Sequence, residues 1–296
     1  VARVGQHVIS AEQLLQRLVE IENLMMAPDR RVDAALDTLV VEQMLKAEAE
    51  RIDEFTGGQL KPREVQVEVD AMLAQAKAKL EAENRELVAQ QRKAGQPERP
   101  WTWPEWLKMR LNMTDTEFQQ LLTIRARNDL LKRMVVWYWF RTSHNIHVMV
   151  IQTAGQEAIL DVQKRLATGE DFSVLANARS IHEASKRQNT PGQLNDVIRG
   201  DGSLPKAVDD AAWKLSNGQT SDPIAADDGT WYIVRRVATN KRVPNEAKFV
   251  DQRDDCLKAP NVSDQLFERW RNSVANSGLY AYEIRIPGRD NVEADK

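Results

Sequence analysis

The sequence lacks most of the features that reveal a function early. Its 296 residues include one cysteine, Cys256, so no disulfide can form within the chain. Lys and Arg number 41 against 44 Asp and Glu, a net charge of −3, which leaves neither an electrostatic footprint for nucleic acid nor a polybasic patch for a membrane surface. No apolar run approaches the roughly 20 residues that a bilayer-spanning helix needs. Glycine (13) and proline (11) are too sparse for a fibrous or low-complexity chain. There is no phosphate-binding glycine loop, serine elbow or paired-cysteine motif. His144 and His147 have i,i+3 spacing, which on a strand sends the rings to opposite faces, so no metal is expected. The N-terminus reads as a short polar-flanked strand, so the chain is expected either to be cytosolic or to have lost a targeting segment.

What is present is helix, over about two domains' worth of chain. Val1 to Ile9 reads as one or two short strands hinged at Gly5. Ser10 and Gln13 form a capping box with Ile9 and Leu14 as staple, opening a helix that Pro28 and Asp29 are expected to end. A second helix, about 30–54, carries an apolar stripe through Leu36, Leu39, Val40 and Met44. A third, about 62–94, has a thin stripe through Val65, Val69, Met72 and Leu80 beneath a highly charged surface. Gly95, Pro97 and Pro100 mark a linker before Trp101, Trp103 and Trp106. Thr114 and Glu117 then cap a helix that runs to about Phe140, through Trp137 and Trp139.

Beyond Ser143 the pattern changes. A strand over 146–152, helices over 154–168 and 171–178, a loop ending at Pro191-Gly192 and a helix from Pro205 to Leu215 follow in turn. Asp228-Gly229 marks a hairpin between 223–225 and 230–237. This predicts a compact α+β unit with one small antiparallel sheet. Helices return at 245–257 and 263–275, and a strand-like Leu279–Ile286 is expected to pair with Val1–Val4.

Residues 145–238 resemble the parvulin (PpiC-type) peptidyl-prolyl cis–trans isomerases. The resemblance rests on His147-Val148-Met149-Val150, Gly169-Glu170-Asp171-Phe172 with Leu175-Ala176, Pro191-Gly192-Gln193-Leu194, the stretch Leu215 to Pro223, and Trp231-Tyr232-Ile233-Val234. Val4-Gly5-Gln6-His7-Val8-Ile9-Ser10, followed by long helices, is similar to the start of the SurA-type and PrsA-type bacterial folding factors. The resemblance implies a mostly helical chaperone-like domain (1–143, completed by 240–296) with an inserted parvulin-like domain (144–239), an extracytoplasmic or periplasmic location after loss of an export signal, no cofactor or metal, and clients that are unfolded or extended polypeptides.

It also implies a site. Parvulins use two histidines on adjacent strands, a Cys or Asp beside them, and Met and Phe walls. His147 keeps the first histidine, His182 stands at the Cys/Asp position, Tyr232 at the second histidine, and Leu204 and Val208 at the walls, with Trp213 nearby. The site is therefore expected to be altered and shallower. Three functions follow: a chaperone with a degenerate isomerase domain, an isomerase using His147 and Tyr232, and a non-catalytic scaffold. Trp101, Trp103 and Trp106 admit two readings, filler between helices or an aromatic crevice for apolar client segments.

Overall fold

A computed structural model of the chain describes residues 2–4, 7–21, 28–53, 60–186, 188–240, 249–277 and 282–284. The elements in order are β1 (Ala2–Val4), β2 (His7–Ile9), α1 (Ala11–Ile21), α2 (Pro28–Asp53), α3 (Pro62–Lys93), α4 (Trp103–Leu111), α5 (Asp115–Thr142), β3 (Asn145–Thr153), α6 (Gln156–Ala167), α7 (Phe172–Arg179), α8 (Glu183–Lys186), β4 (Gln193–Ile198), α9 (Lys206–Lys214), β5 (Ile224–Ala225), β6 (Trp231–Asn240), α10 (Phe249–Lys258), α11 (Asp264–Asn276) and β7 (Tyr282–Ile284). They form two compact units. The first comprises Val1–Val135, Phe249–Asn261 and Tyr282–Lys296, the second Val136–Lys248 and Val262–Ala281. Among the described residues no helix is long and apolar enough to cross a membrane.

In the first unit the capping chemistry sets the helix starts. Ser10 Oγ accepts from the Gln13 amide at 3.1 Å while Gln13 Oε1 accepts from the Ser10 amide at 2.9 Å, and Thr114 and Glu117 repeat the exchange at the start of α5. Pro28, expected to end the first helix, instead opens α2, where its missing N–H costs nothing. Residues 22–27 lie outside the described residues. One Arg17 nitrogen spans both oxygens of Glu42 at 2.8 Å, and Asn128 of α5 donates to the same carboxylate, fixing α1 and α5 on α2. Helix α3 buries only Val65, Val69 and Leu80, in keeping with its thin stripe. Helix α10 is held by Arg253, which is 8% exposed and donates to both carboxylate oxygens of Glu64 at 2.9 and 2.6 Å. The expected start of that helix at Asn245 falls outside the described residues. The small sheet has the order β2-β1-β7, all antiparallel, with Ala2 opposite Ile284 and Val4 opposite Tyr282, the pairing the sequence suggested.

The second unit is built on an antiparallel sheet of order β4-β3-β6-β5. Strand β3 sorts its side chains by alternation. Ile146, Val148 and Val150 enter one cluster with Val197, Leu204, Val208, Tyr232 and Val234, beneath α9. Met149 and Ile151 enter the other, with Ile159, Val162, Phe172, Leu175 and Ile233, beneath α6 and α7. The Asp228-Gly229 hairpin forms as the sequence predicts, with Gly229 at φ +81° and the Ala226 amide donating to the Thr230 carbonyl at 2.9 Å.

Two features depart from the sequence reading. Strand β4 lies where only a loop end was expected, because its Asn195-Asp196 centre has poor strand propensity and Asp196 sits at φ +58° beside a register shift. The second unit is also larger than 144–239, since it takes in the end of α5 and all of α11. Of the two helices expected to complete the helical domain, α10 does belong to it, whereas α11 docks on the sheet unit. Arg269 of α11 ion-pairs with Asp201 at 2.7 Å, and Trp139 donates to Ser273 at 3.3 Å.

Candidate peptidyl-prolyl isomerase site

Strand pairing decides which residues meet. Tyr232 on β6 lies directly opposite Gln152 on β3 and Ile224 on β5. Gln152 and Val150 share its face, and both Val150 and Tyr232 enter the cluster beneath α9. Strand β4 stops short of Gln152, and the chain after α7 takes its place. The Gln152 amide donates to Ser180 Oγ at 3.1 Å, and the Ile181 amide donates to the Gln152 carbonyl at 2.9 Å. These bonds deliver His182 to Tyr232, ring centroids 6.4 Å apart and edge to face. Gly192 closes the turn into β4 at φ +91°, its carbonyl accepting from Val150 at 2.7 Å. A Cβ there would stand 2.7 Å from the Ala176 side chain, so only glycine fits.

The electrostatics of the pair are those of neutral donors. His182 Nδ1 accepts from the Ser185 amide at 3.2 Å, which puts the ring proton on Nε2. Burial lowers the imidazole pKa from its ordinary 6.5, so the ring is uncharged at neutral pH. Burial also raises the phenol pKa of Tyr232, which therefore keeps its proton. Beside them Gln152 donates to Thr230 Oγ1 at 3.3 Å, and that hydroxyl donates to Asp228 at 2.6 Å. The floor is Leu204, Val208, Ala226 and Val234, all buried. Tyr232, only 3% exposed, belongs to this floor rather than to the rim.

The expected cluster of three is thus a pair. His147 is opposite Ala238 on β6, five residues along β3 from Gln152, or about 17 Å at strand spacing. Flanked by Ile146 and Val148, it has the parity of the opposite face, and its Nε2 lies 3.8 Å from Asp196 Oδ1. Val208 is fully buried, in the same cluster as Leu204 and Tyr232. Trp213 packs at the cluster's edge with the Arg236 guanidinium 5.8 Å over its ring. Sequence reading missed Gln152, which strand register brings to Tyr232, and with it Thr230 and Ser180, which hydrogen-bond to Gln152.

The other three tryptophans belong to the helical unit, where they fill the seam of α3, α4 and α5. Trp103 stacks on Trp106 at 5.4 Å and meets Phe118 edge-on at 5.6 Å. The indole of Trp106 donates to Glu83 at 2.8 Å, that of Trp103 to Asp115 at 2.7 Å, and Asn84 brackets the Trp101 backbone. Trp106 is buried in this seam, whereas Trp101 and Trp103 are half-buried.

The PPIC-type PPIASE model of the rotamase family matches residues 150–237. This segment is a PpiC-type rotamase domain. The matched stretch holds His182, Tyr232, Leu204, Val208 and Trp213, and His147 falls just outside it. The chain is similar to the foldase protein PrsA of Enterococcus faecalis, 26% identical over 153 residues, covering 50% of this chain and 43% of that protein. It is also similar to PrsA of a Geobacillus strain, 30% identical over 112 residues, covering 38% and 39%. The chain spans about half the length of the curated relatives it matches. Among solved structures, PrsA from Bacillus anthracis aligns with 85% of this chain and all of its own at 16% identity and a TM-score of 0.41.

Proposed function

We propose that this protein is an extracytoplasmic folding factor whose rotamase domain binds extended, proline-containing segments of unfolded clients and turns them over weakly. The observation that carries this reading is the neutral His182–Tyr232 pair over an apolar floor, with no histidine of β3 on that face. Rotation about a prolyl amide makes and breaks no covalent bond. Its barrier of about 18–20 kcal/mol reflects partial double-bond character, so a catalyst must hold the twisted amide better than the planar one. An apolar floor strips water from the planar amide, and the Nε2–H of His182 supplies a donor. One neutral hydrogen bond contributes about 0.5–1.5 kcal/mol, which corresponds to roughly tenfold in rate at most. Binding therefore dominates over turnover. The extracytoplasmic location rests on the similarity to PrsA foldases.

The test pairs two assays on the full chain: suppression of aggregation of an unfolded client, and acceleration of a proline-limited refolding reaction. Strong suppression with slight acceleration, the latter lost in His182→Ala, supports the reading. Fast isomerisation that His147→Ala abolishes would overturn it.

A further inference from the structure

The rotamase domain has a loop, Ile198 to Pro205, that leads from its outer strand into α9 and carries Leu204 to the floor beside Tyr232. Inside this loop Asp201 is 1% exposed, a carboxylate taken out of water. One of its oxygens accepts from the Ser203 amide at 2.8 Å and the other from the Ile198 amide at 3.2 Å, so the side chain ties both ends of the turn. Two amides replace only part of the water a buried carboxylate has lost, and a cation beside it offsets more of the cost. Among the described residues of 150–237 none supplies it. The partner is Arg269, on α11, whose Nε and Nη2 donate to Asp201 Oδ2 at 2.9 and 2.7 Å and whose Nη2 also donates to the Asp196 carbonyl.

Around this pair α11 follows the loop closely. Asn276 donates to the Gly200 carbonyl at 2.8 Å, and Asn272 approaches the Asp201 carbonyl at 3.5 Å. Gly202 has φ +77°, and a Cβ there would stand 2.5 Å from the Asn272 amide. The helix is set from its other side by Phe140, whose ring faces the Arg269 guanidinium at 5.9 Å, and by the Trp139–Ser273 hydrogen bond.

We propose that Arg269 is a positioning residue for the peptide site. Through Asp201 it fixes the Ile198–Pro205 loop and hence the apolar wall at Leu204, so the working rotamase unit includes α11, well beyond the matched stretch. The inference rests on the reading of the Tyr232 floor as the peptide site, and it adds what holds that floor in shape. It assigns Arg269 no contact with the peptide.

The experiment uses the full chain and two readouts. The first is binding of a fluorescein-labelled Ala-Leu-Pro-Phe peptide by anisotropy, well below the unfolding temperature. Arg269→Ala is expected to weaken binding about fivefold or more, Arg269→Lys to recover part of the loss because an ammonium still reaches Asp201, and Arg271→Ala, which removes a cation that ion-pairs with Glu268 on the same helix and leaves the Arg269–Asp201 pair in place, to change nothing. The second readout, which needs no ligand, is hydrogen exchange at the Ile198 and Ser203 amides. Both are expected to lose protection in Arg269→Ala and keep it in Arg271→Ala. Should Arg269→Ala fail to fold, Asn276→Ala gives the same test in milder form, with a smaller loss of binding and of protection. Unchanged affinity and protection in a folded Arg269→Ala chain, or equal losses in Arg271→Ala, would overturn the proposal. If the unaltered chain binds no peptide, the reading of the site fails, and the exchange measurement still decides the role of Arg269.

Discussion

Gln152 lies directly across the β3–β6 ladder from Tyr232, and their side chains share one face of the sheet. That one pairing sets which of the candidate residues meet. It leaves His147 apart from Tyr232, brings in Thr230 and Asp228 through the Gln152 amide, and leaves His182 as the imidazole beside the phenol.

Exchanging the two candidate histidines therefore gives unequal results. His147→Ala is expected to leave peptide affinity within about twofold, since His147 stands five residues along β3 from Gln152 and on the other face, whereas His182→Ala removes the neutral donor and lowers any isomerisation by about fivefold. Tyr232→Phe keeps the packing and separates the hydroxyl's part from the ring's. Refolding kinetics of a proline-limited client measures all three.

Asp209 predicts a stability that depends on pH. Its carboxylate accepts from the Gly200 amide at 2.9 Å, but burial raises its pKa above the ordinary 3.8, and the nearby Asp201 charge raises it further. Neutral in both states at low pH, the group costs nothing there. The cost grows as pH climbs from about 3.8 through the raised folded value. Asp209→Asn should accordingly raise the thermal midpoint at pH 7, with the gain shrinking to zero below that window. Thermal unfolding of both chains across pH checks it.

Glu64 behaves in the opposite sense. The hydrogen-bonded Arg253 guanidinium holds its pKa below 4.5, helped by the Lys61 amide at 2.8 Å, against an opposing effect of burial. Its contribution is complete above the unfolded value near 4.5 and is lost as pH falls through the lower folded value. Glu64→Gln should flatten the acid limb of the unfolding curve, and Arg253→Ala, which removes a nearly buried cation, should cost about 3 kcal/mol at neutral pH. Urea titrations at several pH values give both numbers.

The packed tryptophans predict loss of stability without loss of client binding. Trp106→Ala opens a cavity between α3 and α5 and deprives Glu83 of its indole partner, costing about 3–5 kcal/mol. At a temperature where the variant remains folded, suppression of client aggregation should be unchanged. A loss of suppression in the folded variant would restore the aromatic crevice as a binding surface.

Much of the fold was legible because its signals are local. The capping boxes at Ser10 and Thr114 and the Asp228-Gly229 turn each act within a few residues. Strand β4 escaped because Asn195 and Asp196 interrupt its pattern, and the Gln152–Tyr232 pairing escaped because register is a property of two strands. Tyr232 meets Gln152 because the β3–β6 ladder keeps one register from Val148 opposite Arg236 to Thr153 opposite Trp231, and that register is not visible in either strand alone. The amphipathic pattern of α11 announced a helix with a face to bury, but its partner is chosen by an Arg269–Asp201 contact between residues 68 apart.

The β1–β7 pairing has a consequence for biosynthesis. Strand β1 leaves the ribosome before every other described element, and β7 after all of them, so the central strand of the small sheet waits on one side until every other described element has been made. During that interval β1 has β2 on one edge and its other edge open, and closing so long a loop is slow as well as entropically costly. Among the described strand pairs β1–β7 is thus the last to close and the one that spans the longest stretch of chain.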